Sequence, residues 1–440
     1  MAIPRFVGLA FATLLGACTQ GSPDPFAGFG PDPALPGPQT GGLPVLNARK
    51  AVGWPPGAAP VAPDGFVVTR YATLDHPRWL HVLPNGDVLA AQSSSEPKPP
   101  KGIQGIIANW LQKKAGAAQE SPNRITLLRD ADGDGIAEMQ EVFAQDLKRP
   151  FGMALVGSDL YVALDDAVVR LPYAEGRTRA AGPPQKIFDL PGEPLNHHWT
   201  KNIIASPDGA RLYAAVGSNS NIGENGMEIE AGRAAVWEFA LPAGPGRVYA
   251  SGLRNPVGLD FEPVTGVLWT AVNERDMIGH DLVPDYMTGL KDGGFYGWPY
   301  SYFGQHVDER VKPPRPDLVA QAIKPDYGLG SHTASLGLVF YRAEAFPERY
   351  RGGAFVGQHG SWNRRPPSGY RVAFIPFENG RPTGPPEAFL GGFLNSKDEA
   401  QGRPVGLAVD SRGALLVADD AGDAIWRVAP RPATRPVRAP

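Results

Sequence analysis

The sequence has almost no cysteine and little charge. Cys18 is the only cysteine in 440 residues, so the chain forms no internal disulfide and has no cysteine-based zinc site. Charged residues make up 20% of the chain, and the formal net charge is −3. A nearly neutral chain gives no electrostatic reason to expect a nucleic-acid partner.

Long apolar runs are also missing. The stretch from Phe6 to Leu14 follows Arg5 and is too short to span a bilayer permanently, which is typical of a secretory signal. It ends in LGAC, residues 15–18, which resembles a bacterial lipobox. We therefore expect a signal peptide over residues 1–17 and lipidation of Cys18. The exported chain would then be anchored to a bacterial membrane, facing the periplasm or the extracellular surface. The alternative is an ordinary cleaved signal with a chance cysteine.

Several enzyme motifs are absent. The sequence contains no Cys-x-x-Cys-His haem attachment motif, no GxGxxG after a strand, no Walker loop and no GxSxG elbow. An enzyme with this sequence must use a freely bound cofactor, a metal, or neither.

Glycine and proline are abundant, with 54 and 47 residues. Both mark turns and strand ends and are poor in helix interiors, so the composition favours an all-β fold. The Pro/Gly-rich residues 18–60 predict a flexible linker after the signal, and residues 431–440 predict a disordered tail. Residues 61–430 remain as one folded domain.

A repeat in fixed register organises that domain. In five tight copies the second residue precedes a turn by the same seven residues, and one further copy is looser. The copies begin at His76, Arg149, Trp199, Asn255, Ala334 and Arg403. Each copy predicts an antiparallel hairpin, which cannot bury its faces alone. The pattern therefore predicts a six-bladed β-propeller of four-stranded antiparallel blades. A β-sandwich would explain the strands but not the shared register.

The residues just before each inner strand share one end of such a propeller. They are His76, Arg149, His198 with Trp199, Arg254 with Asn255, His332 and Arg403. A ring of histidines and arginines indicates a site for an anion at which a proton is also removed.

Two interpretations remain open for these side chains. His198, with cationic neighbours that keep it neutral, is a candidate general base, although a lone loop histidine is often structural. His197 points to the opposite face if the segment is extended. Arg254, Asn255 and Arg403 predict a forked anion clamp rather than isolated surface groups.

Two insertions carry further signals. The loop HGSWNRRPPSGYRV places His359 and Arg364 where they could cover the channel mouth, and GIQGIIANWLQKKAG predicts a short amphipathic helix in blade one, a lid or a membrane contact.

The segment DADGDGIAEMQE fits the twelve-residue calcium loop through Asp130, Asp132, Asp134 and Glu141. Its flanks do not suit a helix–loop–helix. It predicts either a structural calcium loop or a solvated acidic turn.

In combination, several motifs resemble the pyrroloquinoline quinone (PQQ)-dependent soluble aldose and sorbosone dehydrogenases. The resemblance covers about residues 60–430. It rests on HHWTKNIIASPDGARLYAAVGS, SGLRNPVGLDFEP, GGFYGWP, HTASLGLVFY, HGSWNR and GRPVGLAVDSRGALLVADD. It implies a six-bladed propeller that oxidises sugars with PQQ and Ca²⁺ as cofactors.

The resemblance also implies roles by position. His198 matches the general base, Arg254 and Asn255 face cofactor and substrate, and Arg403 holds a PQQ carboxylate. Backbone carbonyls near Asn273 and Glu274 would hold calcium. The family's second blade-six arginine falls on Val405, and its cofactor-binding lysine has no clear counterpart. The remaining candidate cofactor contacts are Arg149, His332, His359 and Arg364.

The implied reaction oxidises the anomeric carbon of an aldose, or a sorbosone-like aldehyde, by hydride transfer to PQQ, with calcium as Lewis acid. Without a haem motif, the electron acceptor is external, a membrane quinone or a cytochrome. The alternatives are a calcium-dependent lactonase, which needs carboxylate and asparagine ligands converging on one ion, and a non-catalytic binding propeller.

Overall fold

The computed structural model describes residues 21–40, 45–95, 106, 109–110, 112–117, 119–193 and 195–432. These residues form six small, mainly antiparallel sheets around a central channel. The predicted all-β, six-bladed propeller is therefore confirmed. Cys18, the signal peptide and the tail from residue 433 lie outside the described residues.

Each blade begins at the channel with the strand that opens a sequence repeat. From the channel outwards, blade one contains Pro77–Val82, Val88–Gln92, Arg124–Arg129 and Met139–Ala144. Blade two contains Met153–Val156, Asp159–Ala163, Ala167–Pro172 and Gln185–Asp189. Blade three contains Lys201–Ala205, Arg211–Val216, Ala235–Ala240 and Gly246–Ser251. Blade four contains Pro256–Phe261, Leu268–Val272, Pro284–Gly289 and Tyr327–Ser331, blade five contains Ser335–Phe340, Ala354–Gln358, Arg371–Ile375 and Glu387–Leu390, and blade six contains Pro404–Val409, Leu415–Asp419, Ala424–Pro430 and Phe66–Thr73.

Smaller elements decorate these blades. Short strands Gly294–Phe295 and Phe29–Gly30 extend blades three and four, and two small hairpins pair Ser301–Tyr302 with His306–Val307 and Phe377–Glu378 with Arg381–Pro382. Within the described ranges, helix is limited to part of the blade-one insertion, Pro316–Val319 and the 3₁₀ turns Glu228–Glu230 and Glu348–Tyr350. None of these helices is long and apolar enough to cross a membrane.

The inner strands of blades one, four and six start with Pro77, Pro256 and Pro404. Proline has no N–H to donate, and it is tolerated at the first residue of a strand that has one unpaired edge. In these inner strands the unpaired edge is the one that faces the channel. The prolines of the repeat therefore mark the places where the chain enters the channel wall.

The second strand of each blade is buried on both faces. Every residue of Val88–Gln92, Leu268–Val272 and Ala354–Gln358 is buried, because each sheet packs between two neighbouring sheets. This explains why these segments are nearly continuous apolar runs rather than alternating ones.

Blade six closes the ring with strands from both ends of the domain. Phe66–Thr73 pairs antiparallel with Ala424–Pro430, from Phe66 opposite Pro430 to Thr73 opposite Ala424. Hydrogen bonds between the first and last strands thus hold the toroid shut. The pole at which the inner strands start is called here the entry pole.

Residues 21–40 and 45–60, here called the N-terminal strap, differ from the predicted flexible linker. Phe29–Gly30 pairs with the outer strand of blade four. The Asn47 N–H donates to the Trp362 carbonyl at 2.7 Å, and the Val52 N–H donates to the Ala400 carbonyl at 2.8 Å. Tertiary backbone bonds of this kind hold the strap against blades four to six, so that part of the expected linker is structured.

Candidate functional site

Side chains from blades one to three meet at the entry pole around one indole ring. Arg78 and Arg149 approach the Trp199 ring, each with its guanidinium carbon 5.5 Å from the centroid. The Trp199 side chain also packs edge-on against Phe151, with centroids 6.2 Å apart. Two guanidinium groups at cation–π distance from one indole ring concentrate positive charge around it.

Blades four to six complete the ring. Arg254 pairs with Asp276, which also contacts His332 at 3.2 Å from Nδ1 to Oδ1. In blade six, Asp420 accepts from His359 Nε2 at 2.9 Å and from Arg78. This last contact leads back to blade one, so the residues predicted around the channel mouth do lie at one pole.

His198 is held in one tautomer. Its Nδ1 lies 2.7 Å from the carbonyl oxygen of Ser218, which can only accept, so Nδ1 carries the hydrogen and Nε2 carries the lone pair. Burial, together with the nearby charge of Arg254, lowers the pKa of His198 to about 3. A neutral imidazole with an available Nε2 is the state that a general base requires. The neighbouring His197 is exposed.

Gly217 allows His198 and Asn255 to approach each other. A Cβ atom at this position would lie 2.3 Å from Asn255 Oδ1 and 2.5 Å from His198 Cβ. Any larger residue would push apart the blade-three loop and the start of blade four. The glycine in "AAVGS" is therefore required by the site and not by a turn.

Lys201 fixes the loop that carries His198 from below. Its side chain is fully buried, and its Nζ donates to Asn196 Oδ1 at 3.2 Å and to the carbonyls of His198 and Trp199 at 3.1 and 3.2 Å. Burial, with the charge of Arg233, lowers the pKa of Lys201 to about 7. Its three acceptors make it a positioning residue for the loop.

Arg254 and Asn255 lie between blades three and four and are nearly completely buried. Arg254 Nη1 donates to the carbonyls of Asn273 and Glu274 at 3.3 and 2.6 Å. These are the carbonyls predicted to hold calcium. Because they already bind a guanidinium, they fit a calcium ion only if Arg254 moves. The Glu274 carboxylate is paired with Arg275 at 3.0 Å, so it offers no free ligand either.

Asp276 was not predicted as a site residue. Its carboxylate accepts from Arg254 Nη2 at 3.3 Å and from Asn363 Nδ2 at 2.9 Å, in addition to its contact with His332. Burial opposes its ionisation, but the hydrogen bond from His332 and the charge of Arg254 outweigh burial and lower the pKa of Asp276 to about 2. It therefore stays a carboxylate and holds Arg254 in place.

Three arginines of the pole have an unsatisfied donor. The Nε atoms of Arg78, Arg149 and Arg403 are buried and have no hydrogen-bond partner among the described residues. A buried polar group left unpaired costs about 1–3 kcal/mol. Such donors fit a ligand with several carboxylates. The pole therefore has donors that suit the three carboxylates of PQQ.

Two predicted cofactor contacts are directed elsewhere. His332 uses Nδ1 for Asp276 and Nε2 for the Gly279 carbonyl at 2.8 Å, so both ring nitrogens are engaged by the protein. Burial opposes its charged form, but the bond to Asp276 raises the pKa of His332. Arg364 donates to the carbonyls of His280, Pro366 and Ser22 at 2.8–3.0 Å. These contacts make both residues structural and correct the prediction.

A cavity of about 70 Å³ lies beside Arg78, Trp199 and His359, beneath residues 115–117 of the blade-one insertion. This is well below the ~300 Å³ of a small-molecule site. Residues 115–117 must therefore move aside before a tricyclic ligand can enter. They are held by His76, whose Nε2 lies 3.1 Å from the Gly116 carbonyl.

The predicted calcium loop has a different acidic set. Asp130, Asp132, Asp134 and Glu138 bring one carboxylate oxygen each within 4.8 Å of one another. Glu141 instead lies in the outer strand of blade one and is 3.6 Å from Arg179. The ninth loop position replaces the twelfth because the strand begins at Met139 and turns Glu141 away.

This acidic loop lies at the opposite pole from His198. It follows a strand that runs away from the entry pole, and the Gly133 carbonyl accepts from Arg412 at 2.5 Å, next to the far end of the blade-six inner strand. The loop is therefore separated from His198 by the length of the propeller axis.

A second cavity, of about 690 Å³, is the central channel between the described inner strands. It is lined mostly by aliphatic side chains of the inner strands, and its charged groups are the ion pair Asp260–Arg342. It has none of the arginines of the entry pole. The larger of these two cavities therefore lacks the cationic groups that surround the smaller one.

Comparison with known proteins shows the family of this chain. A family model described as TrAA12-like matches residues 118–285 and 317–431, which is more than half of the chain. The chain belongs to the TrAA12-like family. A second model, glucose/sorbosone dehydrogenase, matches residues 239–361. That segment contains Arg254, Asn255, Asp276 and His359.

Relatives of this TrAA12-like chain include an uncharacterized protein of Borreliella burgdorferi, 25% identical over 361 residues, covering 78% of this chain and 93% of the relative. A PQQ-dependent pyranose dehydrogenase of Coprinopsis cinerea is 27% identical over 222 residues, covering 41% of this chain and 30% of the relative. The chain thus matches less than a third of that enzyme's length.

Solved structures show the same fold. The holo PQQ domain of Coprinopsis cinerea pyranose dehydrogenase superposes with a TM-score of 0.66 at 21% identity, over 85% of this chain and 98% of that one. The calcium structure of a Trichoderma reesei family AA12 enzyme gives 0.68 at 19% identity, over 89% and 100%.

Sequence reasoning missed several residues of the pole. Arg78 lies two positions after His76 in the repeat, and Asp276 and Asp420 follow the second strands of blades four and six. Strand alternation and the antiparallel return of each hairpin bring these positions to the same pole. Extending the register to the ends of the second strands would have found both aspartates.

Proposed function

We propose that this protein is a PQQ-dependent sugar dehydrogenase that oxidises the anomeric carbon of an aldose or a sorbosone-like aldehyde. One observation carries the proposal. A neutral His198 with an available Nε2 lies at the same pole as arginines with unsatisfied buried donors. This combination suits a reaction in which an anionic cofactor is held beside a base. Membership of the TrAA12-like family, and the PQQ dependence named for the pyranose dehydrogenase of Coprinopsis cinerea, support the cofactor.

PQQ would supply an electron-poor quinone that accepts two electrons and a hydrogen as hydride. The chain's own residues would supply the acid–base and electrostatic parts. His198 Nε2 takes the proton of the anomeric hydroxyl as hydride leaves the anomeric carbon, and the product of an aldose is a lactone. Arg254, fixed by Asp276, would act on the negative charge that develops on the substrate oxygen only through its positive charge, because all five of its N–H groups already have acceptors in the protein. Arg78, Arg149 and Arg403 hold the cofactor's carboxylates.

Three finer parts belong to the same proposal. Calcium is one of them, but the carbonyls of Asn273 and Glu274 already accept from Arg254, so no step depends on an ion there, and the proton and charge steps depend on His198 and Arg254 alone. Electrons would leave to an external quinone or cytochrome. A lipid anchor on Cys18 would keep the exported enzyme beside a membrane-bound acceptor.

A lactonase is less consistent with the pole. Such an enzyme needs free carboxylates converging on one ion. Among the described residues, the pole carboxylates already have cationic or histidine partners: Asp276 and Asp420 pair with arginine and histidine, and Asp165 pairs with Arg149. Asp75 and Asp423 approach one ion only together with His76, to which both are bonded.

The test is reconstitution of the purified apoprotein with PQQ and calcium, followed by dye reduction with a panel of aldoses. We expect sugar-dependent dye reduction only when PQQ is present. Lactone hydrolysis without PQQ, or no PQQ-dependent oxidation of any sugar, would contradict the proposal.

A further inference from the structure

A fourth arginine with an unsatisfied buried donor comes from the N-terminal strap. The side chain of Arg49 is 17% exposed, and its Nε is buried with no hydrogen-bond partner among the described residues. Its Nη1 donates to Asn47 at 3.2 Å, and its Nη2 pairs with Asp398 at 3.2 Å. A guanidinium has five N–H donors, so these two contacts leave donors for another acceptor.

The strap places Arg49 beside Arg403. Arg403 Nη2 lies 3.4 Å from the carbonyl oxygen of Arg49. The Arg403 guanidinium also stacks on the Tyr370 ring, 5.0 Å from its centroid. Burial raises the pKa of Tyr370, whereas the charges of Arg403 and Arg49 both lower it. Both cations therefore act on the same phenol, and the two arginines share one corner of the entry pole.

Backbone bonds on either side of Arg49 fix this position. The Asn47 side chain donates to the Arg364 carbonyl at 2.6 Å, and the Lys50 carbonyl accepts from the Ala400 N–H at 2.8 Å. Further along, Trp54 Nε1 donates to Asp419 Oδ2 at 2.6 Å. Because the strap is bonded before and after Arg49, the backbone of this residue is fixed at the pole. The guanidinium itself is held by Asn47 and Asp398.

We infer that Arg49 is a cofactor-binding residue that holds a carboxylate of the anionic cofactor together with Arg403. This inference rests on the proposed function. Arg49 would supply a second cation beside Arg403. The strap is then part of the binding site as well as a connection to the N-terminus. A carboxylate of the bound cofactor would accept from the buried Arg49 Nε, which has no partner among the described residues.

The experiment compares PQQ binding by the apoprotein and three variants, measured by titration calorimetry with calcium present. Arg49→Ala removes the guanidinium, Arg49→Lys keeps the charge, and Lys50→Ala removes an exposed charge one residue away. A hydrogen bond to a charged group contributes about 1.5–3 kcal/mol, so we expect Arg49→Ala to weaken PQQ binding by roughly ten- to a hundredfold. Arg49→Lys should recover part of the loss, and Lys50→Ala should bind as the parent does.

Thermal unfolding of each apoprotein shows whether the strap variants remain folded. PQQ affinity of Arg49→Ala equal to that of the parent would overturn the inference, and so would an equal loss in Lys50→Ala. If the parent itself binds no PQQ, the proposed function fails before the role of Arg49 is tested. The two failures are therefore distinguishable.

Discussion

The two halves of the entry pole differ in how completely their arginine side chains are bonded, while Asn255 Oδ1 between blades three and four is also buried without a partner among the described residues. In the half formed by blades three and four, Arg254 uses Nε, Nη1 and Nη2, and His198 is fixed by Ser218. In the half formed by the strap and blades six, one and two, four arginines keep a buried Nε without a partner among the described residues; they are Arg49, Arg78, Arg149 and Arg403.

This difference separates two tasks. Arg254 and His198 are held by hydrogen bonds of the protein before any ligand arrives, which suits proton removal and charge stabilisation at fixed positions. The under-bonded half is complete only with an anion. Mutations in the first half should therefore affect chemistry, and mutations in the second half should affect cofactor affinity.

The largest expected effect is that of His198→Ala. Loss of the base should lower kcat for sugar oxidation by about a hundredfold or more, while PQQ affinity stays close to that of the parent. The matched control is His197→Ala, an exposed neighbour, which should retain its activity. Steady-state dye reduction and calorimetry measure the two quantities. Undiminished oxidation in His198→Ala would remove this residue from its role.

A smaller effect on affinity should separate Arg149 from Arg364. Arg149 has an unsatisfied Nε, whereas Arg364 donates to three carbonyls of the protein. We expect Arg149→Ala to weaken PQQ binding by about tenfold. Arg364→Ala should lower the melting temperature but leave the affinity of the folded protein unchanged. The reverse pattern would restore the sequence-based assignment of Arg364 to the cofactor.

Calcium at the acidic loop should stabilise the fold without taking part in the reaction. A ligand at a hundred times its Kd stabilises the folded state by about 2.7 kcal/mol. We expect calcium to raise the melting temperature of the apoprotein, and Asp132→Asn with Asp134→Asn to reduce that rise. Glu141→Gln serves as the control because Glu141 faces Arg179. Equal loss in the control would show that the twelfth position is a ligand after all.

The smallest effect concerns pH and the blade-one insertion. Burial opposes the charge on His76, but its hydrogen bond with Asp423 and the charge of Asp420 outweigh burial and raise its pKa to about 9. Because the pKa is raised, the stability that protonated His76 contributes is complete below about pH 6.5 and is lost as pH rises through about 9. We expect this contribution to be about 1 kcal/mol, since the aspartates that pair with His76 are half-exposed.

Limited proteolysis at Lys113, which is exposed in the insertion, measures this attachment. Cleavage of the parent should accelerate as pH rises past 9, after correction with a peptide substrate for the protease's own pH dependence. His76→Gln should be cleaved faster at pH 7 and lose the additional acceleration. A parent whose corrected cleavage rate is the same at pH 7 and pH 10 would contradict this role of His76.

The fold was predictable because the repeat records the start of every inner strand. Pro77, Pro256 and Pro404 mark strand entry in the sequence as they do in the structure. The same register located His198, Arg254 and Arg403. The placement of these three residues follows from the order of the repeats along the chain and from the closure of the ring. It could therefore be predicted from one sequence.

Other features depend on partners that are distant in sequence. Arg364 looked like a free cation until its bond to the Ser22 carbonyl, 342 residues away, was known. The strap, a Pro/Gly-rich segment, is ordered by tertiary backbone bonds that leave no periodic signal. Glu138 replaces Glu141 because a strand boundary falls between them. Each of these is fixed by tertiary contacts and not by local pattern.

The most direct test of the central claim is a crystal structure of the protein with PQQ bound. The account predicts that the cofactor lies at the entry pole, with its carboxylates paired to the under-bonded arginines and its reactive face towards His198 and Arg254. PQQ bound in the 690 Å³ central channel, or on the outer surface away from these arginines, would contradict it.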